Sequence, residues 1–130
     1  MDYIRVVAGI IVQDNKILIA RKKKGKFLEF KWEYPGGKVE VNEKDETSLK
    51  RELAEEFSIQ TLIKNYLTES FHDYGKFKIN LRAYVVQHLS GDFKLTDHDK
   101  IEWVELNELA NYKFAPADIP INQYLVKYGI

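Results

Sequence analysis

Apolar positions along the chain change their spacing several times, and each change predicts an element. Ile4 to Val12 and Lys16 to Ala20 are short runs rich in β-branched residues, with the turn pair Asp14-Asn15 between them. They read as a β-hairpin. Phe30 to Tyr34 alternates in part and reads as a strand running into Pro35-Gly36-Gly37, a triplet expected to form a turn or tight loop. From Asp45 to Phe57 the period becomes helical, with Leu49, Leu53 and Phe57 on one stripe. Glu43, Asp45 and Glu46 crowd its start, where negative charge favours the helix dipole. Leu62 to Phe71 and Lys78 to Leu89 read as strands joined by a turn over His72 to Lys76, and Ser90-Gly91-Asp92 breaks the second. Ile101 to Val104 reads as a short strand, Leu106 to Ala110 as a short helix, and Ile121 to Tyr128 as a final amphipathic helix after Pro120. Strands and two helices in this mixed order predict an α/β sandwich around a mixed sheet.

The chain has 130 residues, which fits one domain over 1–130, and 45% of them are hydrophobic. That suffices for one core. Lysine plus arginine number 20, as do aspartate plus glutamate, so the formal net charge is zero. No overall field draws such a protein to a nucleic acid polymer or an anionic membrane, and a bound anion needs a local site. There is no cysteine, which excludes thiolate zinc sites and a cysteine nucleophile and suits a reducing cytoplasm. No signal-peptide pattern opens the chain, and no apolar run approaches the roughly 20 residues of a membrane span. Nothing here separates a monomer from a homodimer.

The carboxylates change the picture. Glu52, Glu55 and Glu56 stand at i, i+3 and i+4 of the predicted helix, within an arc of roughly 100°. Like charges so placed repel unless something positive covers them. By themselves they fit either a solvated acidic face, neutralised by Lys50 and Arg51, or a site for a hard divalent cation such as Mg²⁺. Gly36-Gly37-Lys38 upstream allows backbone to approach a ligand closely, which favours the cation site. The basic run Arg21 to Lys26 reads either as solvated surface or as a rim that attracts phosphates. Aromatic residues are 13% of the chain and mostly build core; Tyr34, Tyr74 and Phe77 are the candidates for stacking on a base.

The stretch from Gly37 through Glu43, then Arg51-Glu52-Leu53-Ala54-Glu55-Glu56-Phe57-Ser58-Ile59, resembles the Nudix box. That signature is a Gly, five residues, a Glu, seven residues, then Arg-Glu-apolar-any-Glu-Glu-any-Gly-apolar. One fixed position departs, Ser58 replacing a glycine that ends the helix in a left-handed turn. The resemblance implies the Nudix fold, an α/β/α sandwich, and metal ligation by Glu52, Glu55, Glu56 and the Gly37 carbonyl. Mg²⁺ is the expected cofactor, with Mn²⁺ an admissible substitute. It further implies that Glu43 and Arg51 form an ion pair orienting Glu52, and that Glu52 takes the proton from the attacking water, with Asp97 as rival or helper. Asp97 also reads as a plain turn aspartate.

Similarity extends along most of the chain, through VAGIIVQDNKILIARK, Trp32 to Gly37 and Ala115 to Pro120, to MutT-like pyrophosphohydrolases. In that group the position of Asp118 faces the base, with asparagine in the oxidised-guanine enzyme and aspartate in the CTP pyrophosphohydrolase branch. Here the alternative is an Asp118 that caps a turn before Pro120. The implied substrate is a nucleoside triphosphate, best CTP, dCTP or a modified pyrimidine or oxidised purine nucleotide, with Arg21, Lys22 and Lys38 on its phosphates and Tyr34, Phe77 and Asp118 at its base. The expected products are a nucleoside monophosphate and pyrophosphate. Rival readings are an 8-oxo-dGTP diphosphatase, a hydrolase of another nucleoside diphosphate compound such as ADP-ribose, a Nudix module without catalysis, and an interaction domain with a fortuitous acidic helix.

Overall fold

The computed structural model describes residues 2–130. Strand β1 (Ile4–Gln13) and strand β2 (Lys16–Lys22) form the expected hairpin. Its turn residues Asp14 and Asn15 have φ of 52° and 63°, the left-handed pair that matches the twist of a two-residue hairpin. The remaining strands are β3 (Trp32–Glu33), β4 (Gly36–Lys38), β5 (Gln60–Asp73), β6 (Lys78–Ser90) and β7 (His98–Val104). Their order is β3-β2-β1-β6-β5, with β4 paired to β1 and β7 to β2. β1 and β6 run parallel from Ile4 opposite Ile79 to Ile11 opposite Val86, and the other pairings are antiparallel. The sheet is therefore mixed.

Alternation along the central strands explains why both faces are covered. Ala8, Ile10, Ile17, Ile19, Leu81 and Ala83 point to one side, where Ile121 and Leu125 of helix α2 (Ile119–Tyr128) pack. Val7, Ile11, Leu18, Ala20, Tyr84 and Val86 point to the other, against Leu49, Leu53 and Phe57 of helix α1 (Asp45–Phe57). Successive strand residues face opposite sides, so one apolar run feeds two cores. Each fully buried side chain of the α1 stripe contributes about 1.5–3 kcal/mol. The expected α/β/α sandwich is present.

Several local expectations differ. Gly36-Gly37 is not a turn but the start of β4, paired with Val7 and Ala8 of β1. The glycines serve close approach: a Cβ on Gly36 would lie 1.8 Å from the Val7 carbonyl oxygen. Only Trp32 and Glu33 of the expected Phe30–Tyr34 strand pair with β2. Phe30 is in the left-handed region at φ 66°, as is Leu28 at 59°, and the Phe30 N–H donates to the Lys22 carbonyl in a tight loop. Strand β7 begins at His98, before the expected Ile101. Leu106–Asn111 is a 3-10 helix closed by reciprocal Glu105 and Glu108 backbone bonds, and α2 starts two residues early with Pro120 in its first turn. Ser58 ends α1 at φ 59°, ψ 35°, its N–H donating to the Ala54 carbonyl. The serine thus takes the left-handed conformation of the glycine it replaces.

Candidate active site

A cleft of about 720 Å³ opens where β4, α1, the loop after β2 and the Pro116–Asp118 turn meet. Its polar end is built on α1. Burial of Leu49, Leu53 and Phe57 turns the opposite face outward, bringing Glu52 and Glu56 into the cleft beside Gly37 of β4. A Cβ on Gly37 would lie 2.4 Å from the Glu52 carboxyl carbon, so only glycine fits there. Arg51 organises the rest. Its guanidinium donates to both Glu43 oxygens at 2.9 and 3.0 Å, to Glu52 Oε1 at 2.9 Å, to Glu55 Oε2 at 3.3 Å and to the Lys38 carbonyl at 3.4 Å. The Glu43–Arg51–Glu52 chain expected from the sequence is therefore present. Glu55 is the outlying glutamate, with a side chain 61% exposed and off the cleft lining.

The electrostatics at this end are those of crowded carboxylates, of which Glu52 and Glu55 share Arg51 as counter-charge. Glu56 is pushed up to about 9, first by burial and then by Glu33, Glu52 and Asp97. Burial also raises Glu52, against the pull of Arg51. No three His, Cys, Asp or Glu side chains already converge on one point among the described residues, since Arg51 draws Glu52 and Glu55 to its own Nη1. The donor set is nonetheless all hard oxygen, crowded and under-neutralised, and it fits a divalent cation held with the help of waters and phosphate oxygens.

Asp97 lies in the loop just before β7 and lines the cleft, where Lys26 bonds its carboxylate at 3.0 Å and holds it below the usual range. Lys22 and Lys38 also line the cleft. Arg21 does not. It is paired bidentately with Asp99 at 2.8 and 3.1 Å, and its guanidinium lies over Phe30. Neighbouring strand residues face opposite ways, so Lys22 takes the cleft side and Arg21 the other. The structure thus removes Arg21 from the expected phosphate contacts.

The other end of the cleft is apolar. Phe27, Tyr74 and Phe77 form a cluster with ring centroids 5.3–5.5 Å apart. Tyr34 lines the cleft but is 3% exposed, packs on Phe114 and spends its hydroxyl on Asn122 at 2.6 Å. Asp118 is 4% exposed and makes no side-chain cap to α2. Its carboxyl instead faces the cleft and accepts the Tyr34 N–H at 3.4 Å. Burial and the Glu33 carboxylate raise it well above the ordinary range, opposed by that N–H and by Lys22. The burial thus favours the neutral carboxyl, which offers one donor and one acceptor.

Sequence reasoning missed three residues here. Phe27 directly follows the basic run Arg21 to Lys26, whose charge drew the reading. Glu33 lines the cleft from a strand two residues long. His98 is buried at the start of β7, its Nε2 2.8 Å from Glu33 Oε2. Only the strand pairing of β2 with β3 and β7 brings these together, and no local spacing encodes it.

Comparison with known proteins agrees with this geometry. Residues 6–124 match the family model described as NUDIX domain. A CTP pyrophosphohydrolase of Escherichia coli is 36% identical over 121 residues, covering 93% of this chain and 90% of the relative. An 8-oxo-dGTP diphosphatase of Buchnera aphidicola (subsp. Schizaphis graminum) is 34% identical over 114 residues, 88% of this chain and 86% of the relative. Among solved structures, the solution structure of the E. coli ORF135 protein superposes with a TM-score of 0.87 at 34% identity, covering 98% of this chain and 91% of that one. Glycine strand, acidic helix and arginine-centred pairing thus occur in a chain whose sequence and fold agree, and the protein belongs to the Nudix family, as a MutT-like Nudix hydrolase.

Proposed function

We propose that the protein is a Mg²⁺-dependent nucleoside triphosphate pyrophosphohydrolase with a preference for cytosine nucleotides, releasing the nucleoside monophosphate and pyrophosphate. The observation that carries the base preference is the buried Asp118 on the cleft wall, where burial favours the neutral carboxyl. A neutral carboxyl donates through O–H and accepts through C=O, which complements the N3 acceptor and N4 amino donor of cytosine in one bidentate pair. The CTP pyrophosphohydrolase among its relatives supports the same choice. Adenine shows the same two groups at N1 and N6, so the base test includes it. The 8-oxo-dGTP diphosphatase relative supports an oxidised purine nucleotide as the second reading.

The roles follow from position. Phe27 and Phe77 flank the base and Asp118 reads its edge. Lys22, Lys26 and Lys38 line the path towards α1, where a triphosphate needs cationic partners. Gly37, Glu52, Glu55 and Glu56 would hold the cation, which when bound lowers the pKa of water and offsets charge developing on phosphoryl oxygens. Arg51 orients Glu52 as the proton acceptor and pulls against the burial that raises it, and Asp97 on the same cleft is the helper. A triphosphate panel, canonical, methylated and oxidised, read for pyrophosphate against orthophosphate in Mg²⁺ and in Mn²⁺, tests the reading. Turnover of no triphosphate, or turnover confined to guanine nucleotides, counts against it. No described helix is long and apolar enough to cross a membrane, and a cytoplasmic location would give the enzyme access to nucleotide pools.

A further inference from the structure

Ser70 carries a hydroxyl on a face of the sheet that is otherwise apolar. It stands opposite Leu81 of β6, on the side where Ile121 and Leu125 pack, and is buried. Its Oγ donates to the Ala117 carbonyl at 2.6 Å. The Ala117 N–H donates to the Tyr74 hydroxyl oxygen at 3.1 Å, and Tyr74 belongs to the turn between β5 and β6. Ala117 is buried in the short 3-10 helix Pro116–Asp118, where an N–H of the first turn has no partner within the helix. Tyr74 supplies the acceptor that this buried donor needs. Side chains of β5 and its turn thus hold both backbone polar groups of Ala117, and the carbonyl they hold leads directly into Asp118. A third contact acts on the carboxyl itself, since the Tyr34 N–H donates to Asp118 Oδ1 at 3.4 Å. That favours Oδ1 as the carbonyl oxygen of a neutral carboxyl and leaves Oδ2 for the proton. Orientation decides the base. A neutral carboxyl turned half round exchanges its donor and acceptor, and then suits the N3–H and O4 of uracil as well as it suited cytosine.

We propose that Ser70 and Tyr74 are positioning residues for base selection: by clamping Ala117 at its carbonyl and its N–H, they fix the orientation of the Asp118 carboxyl and with it the choice of cytosine over uracil. Their hydroxyls act through the backbone of Ala117 and not on the nucleotide. This inference rests on the cytosine nucleotide reading and deepens it, because it says what keeps Asp118 selective.

Tyr74→Phe and Ser70→Ala each remove one hydroxyl and leave the rings around Phe27 in place. With kcat/KM measured for CTP and for UTP, each variant is expected to lower the CTP-to-UTP ratio on the order of tenfold. The double variant should fall short of the product of the two effects, because both hydroxyls hold one residue. A role confined to packing would impair both nucleotides alike and leave the ratio unchanged, which overturns the proposal. Hydrogen exchange read by NMR on the ligand-free protein gives a second readout: the Ala117 amide should exchange at least about tenfold faster in Tyr74→Phe. Unchanged exchange there also overturns the clamp. Asp118→Leu is the reference for a lost base reader. Should it collapse the ratio while both hydroxyl variants keep it within about twofold, the clamp fails and the cytosine reading stands. Should Asp118→Leu keep the ratio too, the cytosine reading fails and takes the selection role of Ser70 and Tyr74 with it. If Ser70→Ala does not fold, Tyr74→Phe decides by the same ratio and the same amide.

Discussion

The carboxyl of Asp118 is placed where an ionised group would be costly, and its stability and its selectivity follow from that. Its folded pKa lies above the ordinary one, so the folded state binds the proton more tightly than the unfolded state. Ionisation therefore destabilises the fold progressively as pH rises above the ordinary carboxylate range. Asp118→Asn removes the titration, and its Tm relative to the unsubstituted protein is expected to rise between pH 5 and pH 8. Asparagine keeps one donor and one acceptor, whereas Asp118→Leu removes both, so on the proposed reading Asp118→Leu should lower kcat/KM for CTP on the order of 100-fold with the Mg²⁺ requirement unaltered. An unchanged base profile would take Asp118 out of recognition. Gly37→Ala places a methyl 2.4 Å from the Glu52 carboxyl carbon. Displacing that carboxylate is expected to lower kcat at least about tenfold while Tm moves little, and an alanine variant of full activity would contradict the placing of Glu52. Asp118 and Gly37 were both legible in the sequence through their resemblance to family positions. Glu33 and His98 were not, because their meeting depends on pairing between β2, β3 and β7 rather than on spacing.

Helix α1 was readable almost to the residue, because its period, acidic start and apolar stripe agree. Strand β4 was not: two glycines after a proline look like a turn, and only the carbonyl of Val7 pressing where a Cβ would sit explains a strand there. The cap of α1 lies between these cases. The sequence marks Ser58 as a substitute for glycine, and the structure shows it bearing φ 59°. A left-handed non-glycine residue costs about 1 kcal/mol, so Ser58→Gly is expected to stabilise by up to about that amount in urea unfolding. A destabilised glycine variant would show that the serine supplies a contact beyond its backbone shape. The helix is also tied to its preceding loop through Glu43, held down to about 2, first by Arg51 and then by the backbone at Glu40. A lowered carboxylate pKa gives stability that is present above the unfolded value, near 4.5, and lost as pH falls towards 2. Glu43→Gln should flatten that acid limb in urea midpoints measured from pH 5 to pH 2. Identical limbs would mean that the pair contributes nothing to folding.

For the molecule as a whole, the two cores above and below one mixed sheet set α1 and the Pro116–Asp118 turn on the walls of a single cleft. The α/β/α arrangement was legible because near-continuous apolar runs in β1, β2 and β6 demand cover on both faces. The cleft was less so, since Lys22 and Arg21 share one basic run yet the strand sends only Lys22 into it while Asp99 takes Arg21. The proposed reading makes a specific demand on the reaction: the site would cut between phosphates held at α1 while Asp118 reads the base. Incubation with CTP and Mg²⁺, with products resolved by chromatography, tests that demand most directly. CMP and pyrophosphate in equal amounts, lost on chelation, are expected; CDP with orthophosphate, or intact CTP where another nucleotide is consumed, would contradict it.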